Sequence, residues 1–440
     1  MSIQHVAVIG SGIAGLSAAW LLSKKHHVTL YESADYLGGH THTVDVTVDG
    51  ERFPVDTGFL VFNDRTYPNL CGLFEHLNVD SVASDMSFSV RLTTPDLEWS
   101  GTSLATLFGQ KRNLLRPGFW RMVSDILRFN QASVAWLEEH PHEEGPSLGA
   151  YLTQHNYSEP FRDWYLLPMA AAIWSCPTGQ MLDYPFATFV RFCRNHGLLQ
   201  INDRPQWRTV RGGGREYVKL LAAGISRVRL SAPVQLVHQL GSQILVSTPT
   251  DTSSYDRVVL ACHTDDALRL LGHQASDDER SVLSAVRYQM NRAVLHTDRA
   301  VLPRDPALWS AWNYRAGRGE PGQQPVSVTY LINQLQPLPV ETPVMVTLNP
   351  DQAIDPSKVL QRFDYAHPVF DGPAIAAQQR LSALQGQRGI YFCGAWAGYG
   401  FHEDGLKAGM AVAEALDCRA PWVVGKQHTS ANAAPMVRAA

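Results

Sequence analysis

Residues 5–15 read HVAVIGSGIAG and set the class of fold. The apolar run 5–9 predicts a buried β-strand, and the mostly apolar segment 16–22 predicts a helix. Between them lie three glycines in the spacing G-x-G-x-x-G. A strand, a glycine-rich turn and a helix in this order are typical of the first unit of a Rossmann-like fold, which binds a dinucleotide. The segment therefore predicts an α/β domain.

Each glycine of this turn has a physical role in binding a pyrophosphate. Gly10 permits the tight turn, and Gly12 lets backbone N–H groups approach the phosphates without an intervening side chain. Gly15 lets the helix pack closely on the strand. The helix begins at Ile13 and Ala14, and its N-terminus supplies partial positive charge. We therefore predict that all five residues contribute to a pyrophosphate site.

An acidic residue follows at the expected distance. Glu32 lies 22 residues after Gly10, at the end of the apolar strand 27–31. A carboxylate in that position accepts hydrogen bonds from the adenosine ribose of a bound dinucleotide. Ser33 belongs to the same predicted site. A glycine pair and a histidine come just beyond it, where the chain would fold back over the phosphates: Gly38, Gly39 and His40.

The other end of the sequence carries a second strand, glycine and helix. Residues 390–393 predict a buried strand, Gly394 follows it, and a helix is predicted to run from about 403 to 416. Two such loops at opposite ends indicate a cofactor held along its whole length, which favours FAD. NAD alone would leave the second loop unexplained. The glycine run 212–214 lacks the G-x-G-x-x-G spacing and is interpreted as a turn within the flavin domain.

Composition limits the possible classes of protein. A chain of 440 residues is longer than a single hydrophobic core usually supports, so two domains are expected. A net charge of −4 argues against nucleic acid as a partner. The six cysteines form no C-x-x-C pair, which predicts free thiols in a reducing compartment, without disulfides or zinc. His40 and His42 have no accompanying ligand cluster, so no metal site is predicted.

The expected location is the cytoplasm. No stretch reaches the roughly 18 consecutive apolar residues of a membrane-spanning helix, and the early first strand argues against a signal peptide. One segment, 111–128, combines five basic residues with aromatic and aliphatic ones and a single acid, Asp125. Two interpretations stay open. It is either a core helix with a solvated basic face or an interfacial helix on the inner face of the membrane.

The periodicity divides the chain into two interleaved domains. Apolar segments at 234–237, 244–247 and 257–261 predict a β-meander that returns to the first sheet. The FAD-binding domain is predicted to comprise 1–85, 207–265 and 385–425. An α+β substrate domain is predicted at 86–206 and 266–384, with an antiparallel sheet that includes 293–296, 326–331 and 344–348. The small polar tail, 426–440, is predicted to be disordered.

Several segments resemble a known family. GSGIAGLSAAW, YESADYLGGHTHT, DTGFLVF and YFCGAWAGYGFHEDGLKAGMA resemble the flavin-containing amine oxidase and phytoene desaturase superfamily. The match is closer to the flavoprotein domain fused to plant cyclopropane fatty acid synthases, and to its stand-alone bacterial relatives, through TYPNL, SDMSFSV, IWSCP, FCRNHGLLQI, RPQW, DDALRLLG, SAWNY and VTLNP. The resemblance extends over about residues 3–416. It implies non-covalent FAD and an acyl-lipid context, often beside a lipid methyltransferase.

The resemblance also implies roles for further positions. Val234 matches the meander residue whose backbone faces adenine, and Gly58 lies in the shared DTGFLVF motif. The ribityl chain and the flavin pyrimidine are expected to meet Gly394 and the helix start Glu403, Asp404, Gly405 and Leu406. Backbone N–H groups at that helix start suit the negative charge of a reduced flavin. Tyr399 and His402, beside the flavin motif, are the candidate catalytic residues.

One departure from the superfamily bears on the reaction. Many of its amine oxidases carry a lysine near flavin N5, but no lysine occurs between Lys219 and Lys358. This departure argues against oxidation of small amines. With the acyl-lipid context that the resemblance implies, the expected function is FAD-dependent transfer of hydride from an apolar, fatty-acyl substrate to flavin N5, in a dehydrogenase, desaturase or oxidase reaction. Two alternatives stay open: a flavin-containing amine oxidase, and a non-catalytic flavoprotein partner of a lipid methyltransferase.

Overall fold

The computed structural model describes residues 2–141, 143, 145–174, 178–200, 205–316 and 326–422. The predicted disordered tail, 426–440, lies outside the described residues, and so does Cys176. The described strands are β1 (His5–Ile9), β2 (His27–Tyr31), β3 (Thr43–Val48), β4 (Glu51–Asp56), β5 (Ser81–Ala83), β6 (Phe88–Leu92), β7 (Leu97–Ser100), β8 (Arg208–Val210), β9 (Arg227–Arg229), β10 (Leu236–Leu240), β11 (Gln243–Ser247), β12 (Thr252–Tyr255), β13 (Arg257–Leu260), β14 (Arg287–His296), β15 (Trp312–Ala316), β16 (Ser327–Leu331), β17 (Met345–Leu348), β18 (Val359–Val369) and β19 (Ile390–Phe392).

The described α-helices follow the same chain order. They are α1 (Ile13–Leu22), α2 (Pro68–Leu77), α3 (Leu104–Leu107), α4 (Pro117–Glu139), α5 (Leu148–Gln154), α6 (Glu159–Phe161), α7 (Leu167–Trp174), α8 (Thr178–Leu182), α9 (Phe186–Asn195), α10 (Arg215–Ala223), α11 (Thr264–Leu271), α12 (Asp277–Leu283), α13 (Ile332–Leu335), α14 (Gly372–Leu384) and α15 (His402–Ala415).

The N-terminal strand lies at the centre of a five-stranded parallel sheet. The strand order is β19-β13-β1-β2-β9, and every neighbouring pair is parallel. Val6 and Val8 belong to one core cluster, whereas Ala7 and Ile9 belong to another. Both faces of the strand are therefore buried, which explains its uninterrupted apolar sequence. The predicted α/β, Rossmann-like fold is confirmed.

Helices from the two ends of the chain pack together on one face of this sheet. A Cβ on Gly409 of α15 would lie 2.3 Å from the carbonyl oxygen of Ala14 in α1. The helices can approach this closely only because Gly409 has no side chain. Leu16 and Leu406 contribute to the shared core beneath them. The first and last elements of the described chain are thus joined as the two glycine loops predicted.

The other face of the sheet is covered by the predicted β-meander. Strands β10, β11 and β12 form an antiparallel sheet of their own. The same core cluster contains apolar side chains of α11, α12 and α14, among them Leu270, Leu283 and Leu381. These helices fall mainly within the predicted substrate-domain segment 266–384, yet they pack against the parallel sheet. The domain boundaries themselves stay a prediction.

A seven-stranded sheet forms the other half of the molecule. Its order is β18-β14-β17-β16-β15-β6-β7. The predicted strands 293–296, 326–331 and 344–348 correspond to parts of β14, β16 and β17. The sheet is not wholly antiparallel, because β15 pairs in parallel with β6. Strands β6 and β7 lie in a block whose pattern predicts mainly helices, and their lengths of five and four residues are too short to give a clear period.

A helical layer lies beside this sheet. Helices α4, α5, α7 and α9 share a core that includes Phe129, Tyr151 and Phe189. Phe370 belongs to the same core, and Tyr399 and Phe401 pack against it. The helical layer therefore contacts the loop that precedes α15, which brings the substrate-domain block to the second glycine motif.

Candidate active site

Two glycines of the first loop are required by the packing of the protein itself. A Cβ on Gly15 would lie 1.9 Å from the carbonyl oxygen of Gly10, and a Cβ on Gly10 would lie 2.6 Å from that of Ala261. Gly10 also has a φ of 103°, a conformation that favours glycine. These close approaches bring the N-terminus of α1 to the edge of the sheet where the parallel strands end.

Gly12 differs from its neighbours, because no atom of the described residues lies within 4 Å of the position of a Cβ on it. Its φ of −61° is open to any residue. Packing within the described chain therefore gives no reason for glycine here, whereas a bound phosphate does. No described side chain caps the N-terminus of α1, so the N–H groups of Ile13 and Ala14 are available to a ligand. The loop fits the pyrophosphate of FAD.

The Glu32 carboxylate joins β2 to the glycine loop. Its Oε2 accepts hydrogen bonds from Ser11 N–H at 3.0 Å and from Ser11 Oγ at 2.5 Å. Its Oε1 accepts from Ser33 Oγ at 3.1 Å and from Ala34 N–H at 2.9 Å. Glu32 therefore stands at the end of β2 beside the predicted phosphate position, as expected of a residue that binds the adenosine ribose.

We expect Glu32→Ala to weaken FAD binding without unfolding the protein. The substitution removes a charged acceptor, and hydrogen bonds to such groups contribute about 1.5 to 3 kcal/mol. The dissociation constant for FAD should rise about 10- to 100-fold, measured by titrating flavin into the apoprotein. Glu51→Ala, which removes an exposed acidic side chain at the start of β4, serves as the control and should change the constant little. Equal affinities of Glu32→Ala and the unaltered protein would contradict the ribose position.

Val234 lies close to this ribose position. Ala232 N–H donates to the carbonyl oxygen of Glu32 at 2.8 Å, so the segment before β10 lies against the end of β2. The Val234 side chain is buried, in the core that also contains Tyr31. This placement is compatible with the adenine contact that the resemblance implies, and that contact stays a prediction.

The second glycine pair closes over the first loop. Gly38 and Gly39 have φ values of 118° and 56°, which favour glycine. A Cβ on Gly39 would lie 3.2 Å from the Cα of Gly12, so this loop adjoins the open position at Gly12. Gly58 has a packing role instead, since a Cβ on it would lie 2.1 Å from the carbonyl oxygen of His40. Gly58 is therefore required for packing under the loop.

His40 has a buried ring nitrogen, Nε2, for which the described residues offer no hydrogen-bond partner. Its ring lies 5.1 Å from that of Tyr365 and 5.3 Å from that of His367, both on β18. Burial, and to a smaller extent His367, lowers the pKa of His40 to about 3. The imidazole is therefore neutral. An unpaired buried nitrogen is costly, and a cofactor that runs from the phosphate loops toward β18 would supply its partner.

The strand that leads to the second motif carries a glycine and a thiol. A Cβ on Gly394 would lie 2.3 Å from Trp396 Nε1, so the turn after β19 needs glycine for its own packing. Cys393 is fully buried, and burial raises the pKa of its thiol to about 12. Cys393 is thus a neutral thiol in the core, as expected of a residue on a buried strand.

The first acidic side chain of α15 is used inside the protein. Glu403 Oε1 accepts from Asn69 N–H, and Oε2 accepts from Leu70 N–H, each at 3.0 Å. Asn69 Nδ2 also donates to Oε1 at 2.7 Å. The carboxylate therefore caps the N-terminus of α2. It holds α2 to α15, and only the backbone of Glu403 remains for the predicted flavin contact.

In the next three residues of α15, too, the side-chain positions serve contacts inside the protein and leave only the backbone for the flavin. Asp404 Oδ2 accepts from the N–H groups of Tyr399 and Phe401 at 3.1 and 3.0 Å. A Cβ on Gly405 would lie 2.7 Å from Ile13 Cγ2, so Gly405 brings the starts of α15 and α1 together. Leu406 is fully buried. Any contact of these residues with the flavin would come from backbone N–H groups.

The two candidate catalytic residues are held by aromatic packing. His402 Nε2 lies 2.5 Å from Tyr217 Oη and 3.1 Å from Thr41 Oγ1, and its ring stacks on Phe59 at 3.8 Å. Burial lowers the pKa of His402 to about 3. Tyr399 is half-buried, and its ring lies 5.9 Å from that of Phe192 in the helical layer. These contacts fit a positioning role for His402, and a catalytic role for either residue stays a prediction.

Asp56 is a site residue that the sequence analysis did not single out. Its Oδ1 accepts from Thr43 Oγ1 at 2.5 Å and from Gly214 N–H at 3.0 Å. Its Oδ2 accepts from Gln336 Nε2 at 2.8 Å. Burial raises the pKa of Asp56 to about 6. The carboxylate therefore ties the glycine turn 212–214 to Gln336 in the other half of the molecule. The assignment of this turn to the flavin domain stays a prediction.

A cavity of about 120 Å³ has Phe370 in its wall. It lies between α7 and α8 on one side and the ends of β14 and β18 on the other. Its apolar walls are formed mainly by Trp174, Met181, Tyr184, Pro368, Val369 and Phe370, and its charged groups are Asp183, Arg287 and Asp371. A Cβ on Gly400 would lie 2.9 Å from the Phe370 ring. One aromatic ring therefore separates the cavity from the second glycine motif.

The sequence profile that describes flavin containing amine oxidoreductases matches residues 13–417. The chain belongs to the flavin-containing amine oxidoreductase family. It is therefore an FAD-dependent oxidoreductase, as the two glycine loops predicted. Its likeness to the flavoprotein domain of cyclopropane fatty acid synthases stays a prediction. Within the described chain, no helix combines the length and the apolar character needed to cross a bilayer.

Curated relatives of this family member are distant. The 1-hydroxycarotenoid 3,4-desaturase of a Flavobacterium species is 35% identical over 128 residues, which cover 26% of this chain and 25% of that protein. The chain thus aligns with about a quarter or less of the length of the curated relatives it matches first.

Two solved structures share the fold over nearly the whole chain. One is a CLA-producing fatty acid isomerase from P. acnes, with a TM-score of 0.65, 14% identity and coverage of 94% of this chain and 98% of that chain. The other is the cyclohexylamine oxidase of Brevibacterium oxydans IH-35A, with a TM-score of 0.65, 15% identity and coverage of 94% and 100%. These likenesses establish the fold and do not select a substrate.

Proposed function

We propose that this oxidoreductase removes a hydride from a C–H bond of an apolar, fatty-acyl substrate, in a dehydrogenase, desaturase or oxidase reaction. The observation that carries the proposal is the cavity beside Gly400, whose walls are mainly aromatic and aliphatic. Its volume of about 120 Å³ admits a segment of an apolar chain. Each methylene that leaves water for such walls contributes about 0.8 kcal/mol.

The charges near the flavin-binding loops support an uncharged reacting group. Burial keeps the imidazoles of His40 and His402 neutral by lowering the pKa of each to about 3. The lysines that flank the lysine-free segment are engaged elsewhere, because Lys219 Nζ lies 2.8 Å from Glu216 Oε1 and Lys358 Nζ lies 3.3 Å from Asp298 Oδ1. The lysine that many amine oxidases of the superfamily place near flavin N5 therefore has no obvious equivalent.

In this proposal the chain binds, orients and excludes water. FAD, when bound, supplies the hydride acceptor at N5 and passes two electrons to dioxygen or another acceptor. The loops at Gly12 and Gly39 hold the phosphates, and the rings of the cavity keep the reacting carbon dry. Formation of a double bond also releases a proton from the adjacent carbon. The candidate acceptors are Tyr399, His402 and the flavin itself. A pKa of about 3 makes His402 a weak base, and Tyr399 could accept the proton only as its phenolate.

The desaturase relative is consistent with this substrate class, because its name describes the oxidation of a carotenoid, an apolar chain. The resemblance to the flavoprotein domain of cyclopropane fatty acid synthases adds a lipid methyltransferase as the proposed functional partner. The proposed place of action is the cytoplasm, at the inner face of the membrane where such lipids lie. No nucleic acid or metal takes part in the proposal.

An amine oxidase is the second candidate, and one observation favours it. Asp183 and Asp371 both border the cavity, whereas Arg287 is the one cation among its described lining residues. Arg287 Nη2 lies 2.7 Å from Asp371 Oδ2, which leaves Asp183 able to attract an ammonium group. The net negative charge at one end of an apolar cavity would suit an amine with a bulky apolar substituent.

Anaerobic mixing of the purified flavoprotein with candidate substrates separates these functions. Stable bleaching of the flavin absorbance by phospholipids with unsaturated or methylated chains, and none by mono- or polyamines, is the expected result. Bleaching by amines with peroxide release in air would favour the amine oxidase. If no compound bleaches the flavin but a lipid methyltransferase co-purifies with the protein, the non-catalytic partner role replaces the proposal.

A further inference from the structure

Five large apolar side chains are exposed within one short stretch of the chain. Leu104 is 78% exposed, Leu114 48%, Leu115 87%, Trp120 50% and Leu127 52%. They lie on α3, on the 3-10 turn Lys111–Leu115 and on the first half of α4. We call them the 104–127 patch. Single exposed leucines are ordinary, but a group of this kind on neighbouring elements indicates a surface that is covered by something.

The fold itself presents these side chains to solvent. Trp120 and Leu127 are seven residues apart, two helical turns, and therefore share one side of α4. Phe119, Met122 and Phe129 on other sides of the helix are fully buried. Helix α4 thus uses one face for the protein core and leaves a second apolar stripe outside. The outer side of α4 is therefore not purely polar, and its inner side is firmly packed in the core.

Trp120 also fixes the neighbouring turn. Its indole N–H donates to the carbonyl oxygen of Leu114 at 2.9 Å, and its ring lies 5.0 Å from that of Phe108. These contacts hold Leu114 and Leu115 beside the start of α4. The patch is therefore a preformed surface, and covering it requires little ordering of the chain.

The patch is surrounded by positive charge. Five cations lie within residues 111–128, and each carboxylate that pairs with one of them also pairs with a second arginine. Arg121 and Arg128 both pair with Asp125, at 3.5 and 2.9 Å. Arg112 shares Asp96 with Arg304. The segment 111–128 has five basic residues and one acid, so its formal charge is +4 within a chain whose net charge is −4.

We propose that the 104–127 patch docks on an anionic phospholipid bilayer. Leucine and tryptophan side chains would enter the interface, and the surrounding cations would meet the phosphate groups. Charge complementarity selects this occupant, because a surface of this sign is repelled by a cationic partner and gains little from a neutral bilayer. The inference concerns attachment alone and does not depend on which substrate the flavin oxidises.

Co-sedimentation of the purified flavoprotein with vesicles tests the proposal. We expect binding to vesicles that contain phosphatidylglycerol, weak binding to pure phosphatidylcholine, and release as the ionic strength rises. The double substitution Leu104→Ser and Leu115→Ser should lower the partition coefficient at least about tenfold, because two exposed leucines lose their transfer free energy. Leu240→Ser removes an equally apolar side chain, 62% exposed, from the β10–β11 hairpin and should leave the coefficient unchanged.

The double variant should keep its flavin and its melting temperature, so that a loss of binding reflects the surface. Equal binding to phosphatidylcholine and phosphatidylglycerol vesicles would overturn the role of the cations. Unchanged binding of the double variant, or a larger loss in Leu240→Ser, would overturn the location. Absence of vesicle binding together with a stable protein complex broken by the double substitution would replace the bilayer with a protein partner.

Discussion

Replacing Gly12 by valine is expected to abolish retention of FAD while leaving a folded protein. No atom of the described chain lies within 4 Å of where the new Cβ would stand, and the φ of −61° suits any residue. The new Cβ would therefore meet no described atom of the apoprotein. It would occupy the space through which backbone N–H groups reach the phosphates. The flavin absorbance per protein after gel filtration should fall at least tenfold.

A second glycine provides a matched control for this prediction. Gly372, the first residue of α14, likewise has no described neighbour within 4 Å of its Cβ position and has no positive φ. Gly372→Val should keep its full complement of flavin, since the same added side chain there meets neither protein nor cofactor. If both valine variants remain equally yellow, the first loop does not hold the pyrophosphate. If both turn colourless, the effect is on folding.

Lowering the pH from about 7 to about 5 is expected to destabilise the protein markedly. Burial lowers the pKa of five histidines to about 3 or 4: His40, His196, His296, His367 and His402. In the unfolded chain a histidine binds a proton near pH 6.5. Below that pH the unfolded state binds more protons than the folded state, so the free energy of unfolding falls, by on the order of 1 kcal/mol per pH unit for each histidine.

Two buried carboxyls oppose this loss without cancelling it. Burial raises the pKa values of Asp56 and Asp404 to about 6. Between about pH 6 and pH 4 the folded state therefore binds protons that the unfolded state does not, which stabilises the fold. Because the five histidines outnumber these two carboxyls, the melting temperature should decline as the pH falls through 6.

Thermal melts of the flavoprotein across this pH range check the prediction. His296 is the sharpest probe, because its side chain is fully buried and accepts from Asp298 N–H at 3.0 Å, with Nε2 2.7 Å from Thr347 Oγ1. In His296→Gln the melting temperature should fall less steeply with decreasing pH, by the contribution of one histidine. In Asp56→Asn it should fall more steeply. A melting temperature that is constant from about pH 7 to about pH 5 would contradict the assignment of neutral buried imidazoles.

The fold of the cofactor half was predictable because its signals are local. The parallel strand β1 is buried on both faces and so reads as an apolar run, and Gly10 and Gly15 are fixed by backbone contacts that admit no side chain. The acid at Glu32 follows from the same βαβ geometry. The sequence signals of these features, from the apolar run of β1 to Glu32, lie within about thirty positions of one another, although the contacts that bury β1 and fix Gly10 come partly from distant residues such as Ala261.

The remaining features depend on residues far apart in the sequence. Gln336 is 280 positions from Asp56, its hydrogen-bond partner, and no periodicity links two such residues. The packing of α14 on the parallel sheet depends in the same way on contacts with the distant meander core, as for Leu381. Glu403 was predicted as a flavin contact, but its side chain caps α2, a use that is visible only once Asn69 stands beside it.

The arrangement of the parallel sheet also has a consequence for biosynthesis. Strand β13 (Arg257–Leu260), the partner of β1, is synthesised long after β1, and β19 (Ile390–Phe392), the partner of β13, later still. The starts of α1 and α15 meet through Ile13 and Gly405 only after α15 has been synthesised. The two glycine loops can therefore come together only after that point. Until β13 has been synthesised, one edge of β1 lacks its native neighbour, and an unpaired edge of this kind favours mispairing of the nascent chain.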